Sequence, residues 1–174
     1  MTGHEHHHHQ GKKLRLRAAV ITASDTRTEL SDDSGRLIRE LLEQAGHLIT
    51  YHAIVPDEPE RIRPVVIEQL SQAELIIVSG GTGIAARDAT VEALRPLLHK
   101  ELEGFGELFR MLSYNEIGAA AFLSRALAGI AHGRIVVALP GSPDACRLAM
   151  EKLLIPELGH MAHLLKLGHE SDHH

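Results

Sequence analysis

The stretch Leu75-Ile76-Ile77-Val78-Ser79-Gly80-Gly81-Thr82-Gly83 decides the fold class. A short, unbroken apolar run with no polar face, ended by glycine, is the pattern of a strand buried on both sides of a parallel sheet. Arg134–Leu139 repeats the pattern and runs into Pro140-Gly141-Ser142-Pro143. Ala18-Ala19-Val20-Ile21, within the apolar stretch Leu14–Thr22, feeds the polar loop Ser24-Asp25-Thr26-Arg27. Helix patterns lie between these runs. Leu37, Ile38, Leu41, Leu42 and Ala45 share one helical face that closes at Gly46, a residue free to adopt the left-handed conformation past a helix end. His47–Val55 reads as a further strand, and Pro56-Asp57-Glu58-Pro59-Glu60 offers a cap for a segment reaching Leu70, which Pro64 either kinks or delays. Helical spacing continues near Val91–Leu98 and Glu103–Leu112, becomes less regular through Ala128, and returns after Pro143, with Pro156 bending the last stretch. Strands separated by helices predict βαβ units, a mostly parallel sheet and helices on both faces.

Composition bounds what such a domain does. The chain has 174 residues, 44% hydrophobic and 24% charged, enough for one domain that buries its core without a metal or disulfide staple. The single cysteine, Cys146, excludes an intramolecular disulfide framework and fits a reducing, cytoplasmic setting; it is expected to be a buried, inert thiol. A net charge of −5 argues against general affinity for nucleic acid or anionic membrane. Five aromatics and no Trp leave little material for base stacking. No apolar run reaches the roughly 18 residues of a spanning helix, and the first residues lack the apolar region of a secretory signal. Five of the fourteen histidines fall in His4–His9 and three in His169–His174. Residues 1–12 and 168–174 therefore read as polar, disordered tails able to chelate a transition metal without defined geometry, and 13–167 as one α/β domain. Metal handling by the tails is the outlying alternative function.

In open α/β sheets, ligands sit beyond the carboxyl ends of the strands. Three such ends are small and polar: Ser24-Asp25, Gly80-Gly81-Thr82-Gly83 and Pro140-Gly141-Ser142-Pro143. Three glycines in four residues let backbone N–H groups converge on an anion, and the Thr82 hydroxyl adds a donor. The loop is neither G-x-G-x-x-G nor a P-loop, which disfavours a dinucleotide oxidoreductase and a Walker-type NTPase. Asp57 follows the second strand and Asp88 the glycine loop, so both should reach the same sheet edge. Carboxylates gathered around a phosphate need a cation between them, and Mg²⁺ takes one or two carboxylates plus phosphate oxygens. Singly, Asp57 also suits a helix cap and Asp88 a turn or a partner for Arg87. Phe105, Leu108, Phe109 and Leu112, at helical spacing, read as core or subunit interface. His132 lies near these loops in sequence and has no assigned role.

The ordered set Ser79-Gly80-Gly81-Thr82-Gly83, Arg87-Asp88-Ala89-Thr90, Glu103-Gly104-Phe105-Gly106-Glu107, Ser124-Arg125 and Pro140-Gly141-Ser142-Pro143 resembles the MoaB/MogA family of molybdenum cofactor biosynthesis. Gly104–Ser113 is particularly similar to the MoaB branch, and the resemblance covers roughly residues 14–165. It implies a three-layer αβα sandwich that binds molybdopterin, assembles as a trimer or hexamer, and hands product to a molybdenum-insertion partner. In catalytically active relatives it implies adenylylation of molybdopterin by Mg-ATP with release of pyrophosphate. The family's two key acidic positions match Asp57 and Asp88, as catalytic residues and Mg²⁺ ligands. Carried over the same way, Ser24, Asp25, Gly80, Gly81, Thr82, Gly83, Arg87, Ser124, Arg125, Pro140, Gly141 and Ser142 are candidates for binding ATP and molybdopterin, with Arg125 suited to bidentate phosphate recognition. Ala85-Ala86 after the glycine loop, and Ala119–Leu123 ahead of Ser124 with few hydroxyls, depart from the pattern. The alternative on this reading is a binding or carrier protein that does not adenylylate.

The segment Gly118–Leu127 has little polar periodicity, so part of it should be buried between subunits or beneath the site. Light scattering at micromolar concentration is expected to show a trimer or larger; a clean monomer would count against this surface and the family expectation together.

Overall fold

The computed structural model describes residues 14–167, and the two His-rich tails lie outside the described residues. Six strands form one sheet in the order β2-β1-β3-β6-β5-β4. β1 (Arg17–Ala23), β2 (Leu48–Val55), β3 (Leu75–Ser79) and β6 (Arg134–Leu139) run parallel, so their carboxyl ends share one edge. β5 (Leu127–Ala131) and β4 (Lys100–Glu101) complete the sheet as antiparallel strands. These two strands are absent from the sequence reading. Leu-Ala-Gly-Ile-Ala is too small and too poor in β-branched residues to stand out, and β4 has only two residues.

Strand alternation sorts the core into two halves. Ala18, Val20, Leu75, Ile77, Ile135, Val137 and Leu139 face one side. There they meet α1 (Asp33–Gln44), α4 (Glu103–Ile117), α5 (Pro143–Ala149) and α6 (Ile155–Leu165) through Ile38, Leu42, Phe109, Cys146, Leu158 and Ala162. Ala19, Ile21, Ile76, Val78, Val136 and Ala138 face the other side, against α2 (Pro59–Gln69) and α3 (Thr90–Leu94) through Ile62, Val66, Val91 and Leu94. The result is the expected three-layer αβα sandwich. β1 and β3 are buried on both faces because helices cover both, which is why their sequences show no polar alternation.

Local chemistry sets the boundaries. Asp32 caps α1 by accepting the Gly35 N–H (3.1 Å), and Gly46 follows its end at φ +94°. Pro59 opens α2 and Pro64 lies inside it, so Pro64 does not delay the start. Val91–Leu98 is not one helix: α3 ends at Leu94 and a 3₁₀ turn, Arg95–Leu97, takes in Pro96. α4 is longer than its apolar spacing suggests and runs on to Ile117. A π-turn, Met150–Leu154, joins α5 to α6. Pro156 in the next turn has no N–H to return to the preceding carbonyls, the setting in which a helix widens. β5 returns to β6 through His132-Gly133, at φ +48° and +73°, the signs of a type I′ hairpin. His132 thus stands at the start of β6, the full strand away from Pro140. Of the Gly118–Leu127 segment, Ala121 and Leu127 are buried within the chain and Phe122 is exposed. Leu108, Met111, Tyr114 and Ile117 on α4 are exposed as well.

Glu74 fastens the opposite edge of the sheet. It is 3% exposed and accepts hydrogen bonds from the Arg17 backbone N–H (2.7 Å), Nε (3.0 Å) and Nη2 (2.7 Å). Its own backbone joins the starts of β1 and β6. Burial pushes its carboxyl up, but the Arg17 hydrogen bonds and charge outweigh that and hold it below its ordinary 4.5. A lowered carboxyl contributes stability that is complete above the ordinary value and is lost as pH falls through the lowered one. Glu74→Gln should therefore cost about 1–3 kcal/mol at neutral pH and flatten the stability loss below pH 4.5. Urea unfolding on both sides of that pH checks it; an unchanged midpoint at neutral pH would refute the role.

Candidate functional site

The loops after β1, β2, β3 and β6 meet at the shared carboxyl edge, and glycine makes the meeting possible. Gly80 (φ +91°) and Gly81 (φ +67°) turn the chain sharply after β3, with the Gly80 N–H held by Leu139 O of β6 (2.9 Å). A Cβ at Gly80 would stand 2.3 Å from the Ala23 carbonyl oxygen of β1. At Gly81 it would stand 2.5 Å from Asp57 Oδ1 and 2.4 Å from Thr90 Oγ1, and at Gly83 2.6 Å from Asp88 Oδ2. At Gly80 the clash would be with backbone, and at Gly81 and Gly83 a Cβ would displace the Thr90 hydroxyl and the carboxylates, so with glycine there backbone and carboxylates pack directly together. Gly81, Thr82 and Gly83 lie outside any helix or strand.

Three aspartates converge there. Asp57 is 8% exposed, and its Oδ1 accepts the Ala89 N–H (3.1 Å). Asp88 Oδ2 accepts the Ala85 N–H (2.8 Å). Asp25 Oδ1 accepts the Asp57 N–H (3.1 Å) and its carboxylate takes the Arg87 fork, Nε to Oδ2 at 3.0 Å and Nη2 to Oδ1 at 2.8 Å. Arg87 also reaches Glu58 (3.4 Å). Its partners are Asp25 and Glu58, and it does not pair with Asp88 as one sequence reading allowed. The Arg87 hydrogen bonds hold the Asp25 carboxyl below its ordinary range. Burial pushes the Asp57 carboxyl up; the Ala89 N–H opposes this, while the charges of Asp88 and Asp25 add to it.

Arg125 sits differently from a free phosphate ligand. Its Nε donates to Gly83 O (2.9 Å), its Nη2 to Asp88 O (3.2 Å), and its guanidinium pairs with Glu92. Its backbone N–H donates to Thr82 O (2.9 Å). It thus staples the glycine loop to the Asp88 turn and forms the wall between two open clefts, of about 540 and 440 Å³. Asp88, Ala85 and Glu92 line the first; Ser124, Phe122 and Arg110 line the second. Ser24 Oγ accepts from the Thr26 and Arg27 N–H groups (3.2 and 3.0 Å) and shapes its own turn. At the end of β6, Pro140 O accepts the Cys146 thiol (3.1 Å) and Gly141 O the Ser34 hydroxyl (2.9 Å). Ser142 caps α5 through the Ala145 N–H (3.3 Å). Cys146 is fully buried, its thiol pushed up to about 12 by that burial, so it is inert as expected.

Sequence reasoning gave no role to four residues the fold brings to this edge. Asp32 is buried and accepts the Thr22 hydroxyl (2.7 Å); its place before an apolar-periodic helix could have marked it as a cap. Glu92 and Ser34 act through long-range contacts with no local signal. The Thr90 hydroxyl is buried without a hydrogen-bond partner among the described residues, a condition that costs about 1–3 kcal/mol.

The donor set can be tested against a divalent cation. Among the described residues no group of three or more His, Cys, Asp or Glu side chains is placed to hold a metal. Asp57 and Asp88 each commit one oxygen to a backbone N–H and keep the other. Two such carboxylates fit Mg²⁺, which binds through one or two carboxylates and completes its shell with substrate phosphate and water.

The chain is similar to known proteins over nearly all of this architecture. Residues 19–160 match the family model described as "Probable molybdopterin binding domain". Molybdenum cofactor biosynthesis protein B of Bacillus anthracis is 48% identical over 157 residues, covering 88% of this chain and 93% of that protein. A crystal structure of a molybdenum cofactor biosynthesis protein B superposes with a TM-score of 0.86 at 47% identity, covering 90% of this chain and 99% of that one. The tungsten cofactor synthesizing protein MoaB from Pyrococcus furiosus superposes with a TM-score of 0.78 at 38% identity, covering 88% and 98%.

Because the folded state raises the Asp57 carboxyl above its ordinary 3.8, folding favours its protonated form. The resulting stability deficit is absent below that ordinary value and grows as pH rises through the raised one. With divalent cations removed, Asp57→Asn is expected to raise the Tm at pH 7 and to lose that advantage near pH 3. A lower Tm at pH 7 would show that the ionised carboxylate is not under strain.

Proposed function

The chain belongs to the molybdopterin-binding family of molybdenum cofactor biosynthesis proteins, and on that footing we propose that it is a molybdopterin adenylyltransferase. The observation that carries the proposal is the convergence of Asp57 and Asp88 on the glycine loop that follows β3. The terminal phosphate of molybdopterin, with a second pKa of about 6, is largely dianionic at pH 7 and needs no protein base. One of its oxygens attacks the α-phosphorus of ATP, the bond to the β-phosphate oxygen breaks, and pyrophosphate leaves. The obstacle is electrostatic, because two polyanions must meet, so positioning and charge neutralisation supply the rate. When bound between Asp57 and Asp88, Mg²⁺ would screen the phosphate oxygens and withdraw charge from the leaving group.

The chain's own residues do the rest. Gly81, Thr82 and Gly83 present backbone amides to phosphate, a role that their place outside the ladders permits. Asp25 and Arg87 hold the Asp57 loop in place. Arg125 acts first as the staple of the glycine loop; with four of its N–H contacts engaged, it offers phosphate at most a remaining one. Ser124, Pro140, Gly141 and Ser142 line the edge where the pterin would lie. The exposed apolar face of α4 and Phe122 suits association into a trimer or hexamer, and product would pass to a molybdenum-insertion partner. Among the described residues no helix is long and apolar enough to cross a membrane.

Asp88→Asn keeps the shape and one oxygen but loses the charge. It is expected to lower adenylyl transfer about a hundred- to thousandfold while leaving molybdopterin affinity unchanged or slightly higher, and Asp57→Asn should behave alike. Product formation and molybdopterin binding are measured separately for each. Unaltered turnover in Asp88→Asn would remove the cation assignment; no turnover by the native protein at saturating Mg-ATP would favour a molybdopterin carrier.

A further inference from the structure

We propose that Thr90 is a positioning residue of this site, whose hydroxyl donates to the Asp57 carboxylate when that carboxylate holds a cation against substrate phosphate. The inference rests on the adenylyl-transfer reading and adds a residue to it. Thr90 opens α3 and is 0% exposed, and its backbone N–H donates to Gly81 O (3.0 Å). Its Oγ1 is the buried side-chain oxygen that lacks any hydrogen-bond partner among the described residues.

That oxygen lies beside the Asp57 carboxylate. The place where a Gly81 Cβ would stand is 2.4 Å from Thr90 Oγ1, 2.5 Å from Asp57 Oδ1 and 2.9 Å from Asp57 Oδ2. Hydroxyl and carboxylate therefore face one point from two different elements, less than 5 Å apart, with only a glycine between them. Asp57 Oδ1 is already tied to the N–H of Ala89, the residue before Thr90, so carboxylate and hydroxyl are held to the same short segment. Valine would fill the same volume without burying an unpaired hydroxyl, so a second state of the site that supplies its partner would give the group a use. Cation loading is such a state. It would hold Asp57 as an ionised ligand with acceptor capacity to spare, and ligating carboxylates are oriented by neighbouring hydrogen bonds of this kind.

The test uses the full chain with Thr90→Val, Thr90→Ser, Asp57→Asn and the Thr90→Val/Asp57→Asn double variant. Mg-ATP affinity is measured by calorimetry and thermal unfolding in EDTA. Thr90→Val should unfold at the native temperature or above it, because an unpaired hydroxyl has been removed, yet bind Mg-ATP about tenfold or more weakly. Thr90→Ser should restore the affinity. In the Asp57→Asn background, Thr90→Val should cause no further loss, since the two act as one unit. Native affinity in Thr90→Val overturns the proposal, and so does a serine variant that fails as valine does. A lower unfolding temperature for Thr90→Val overturns it too, because the hydroxyl would then be paired already in the free protein. If the native chain binds no Mg-ATP, the adenylyl-transfer reading falls and takes the Thr90 role with it; if it binds and only the Thr90 variants look native, the Thr90 role falls alone.

Discussion

The carboxyl edge of the sheet depends on the missing Cβ atoms of Gly80 and Gly81. One would lie within van der Waals radii of the Ala23 carbonyl, the other between Asp57 and Thr90. Both residues also hold positive φ, which an L side chain resists. Because glycine satisfies both demands, the β3 loop can fold back onto the end of β1, donate the Gly80 N–H to the Leu139 carbonyl of β6, and touch the loop after β2. Four chain segments far apart in sequence are thereby held within a few ångströms. Any of them displaced by a methyl group would carry its polar residues away from the others.

Electrostatics follows from that closeness. Three aspartates share a site, and the two nearby arginines do not neutralise them equally. Arg87 closes on Asp25 and Glu58, and Arg125 on Glu92 and two carbonyls. Among the described residues, the Asp57 and Asp88 carboxylates receive backbone N–H groups and no guanidinium hydrogen bond. Burial and the neighbouring charges push the Asp57 carboxyl up in the free protein, and carboxylates left without a cationic side chain are the donor set that the proposed cation would use. In this fold the arginines brace the loops, so on the proposed adenylyl-transfer reading the charge that brings two anionic substrates together would come from the cation.

The sequence by itself determined the layered α/β fold and the edge where its glycine-rich and polar loops gather. Continuous apolar runs such as Leu75–Val78 survive only with helices on both faces, and glycine or proline after them marks where the chain turns into solvent-facing loops. The glycine loop and Asp57 were legible as strand-end features for that reason, while the pairing of Asp57 with Asp88 as the key acidic positions came from the resemblance to a known family. The antiparallel β5 and β4 were not legible. An alanine- and glycine-rich strand carries no local signature, and its pairing with β6 exists only once β6 is placed. The partners of the arginines were also decided by tertiary structure. Arg87 lies beside Asp88 in sequence yet bonds Asp25, 62 residues away, and Arg125 reaches back to Gly83 over 42. The orphaned hydroxyl of Thr90 was invisible for the same reason: whether a polar atom has a partner depends on what packs around it, and only the assembled core supplies or withholds one.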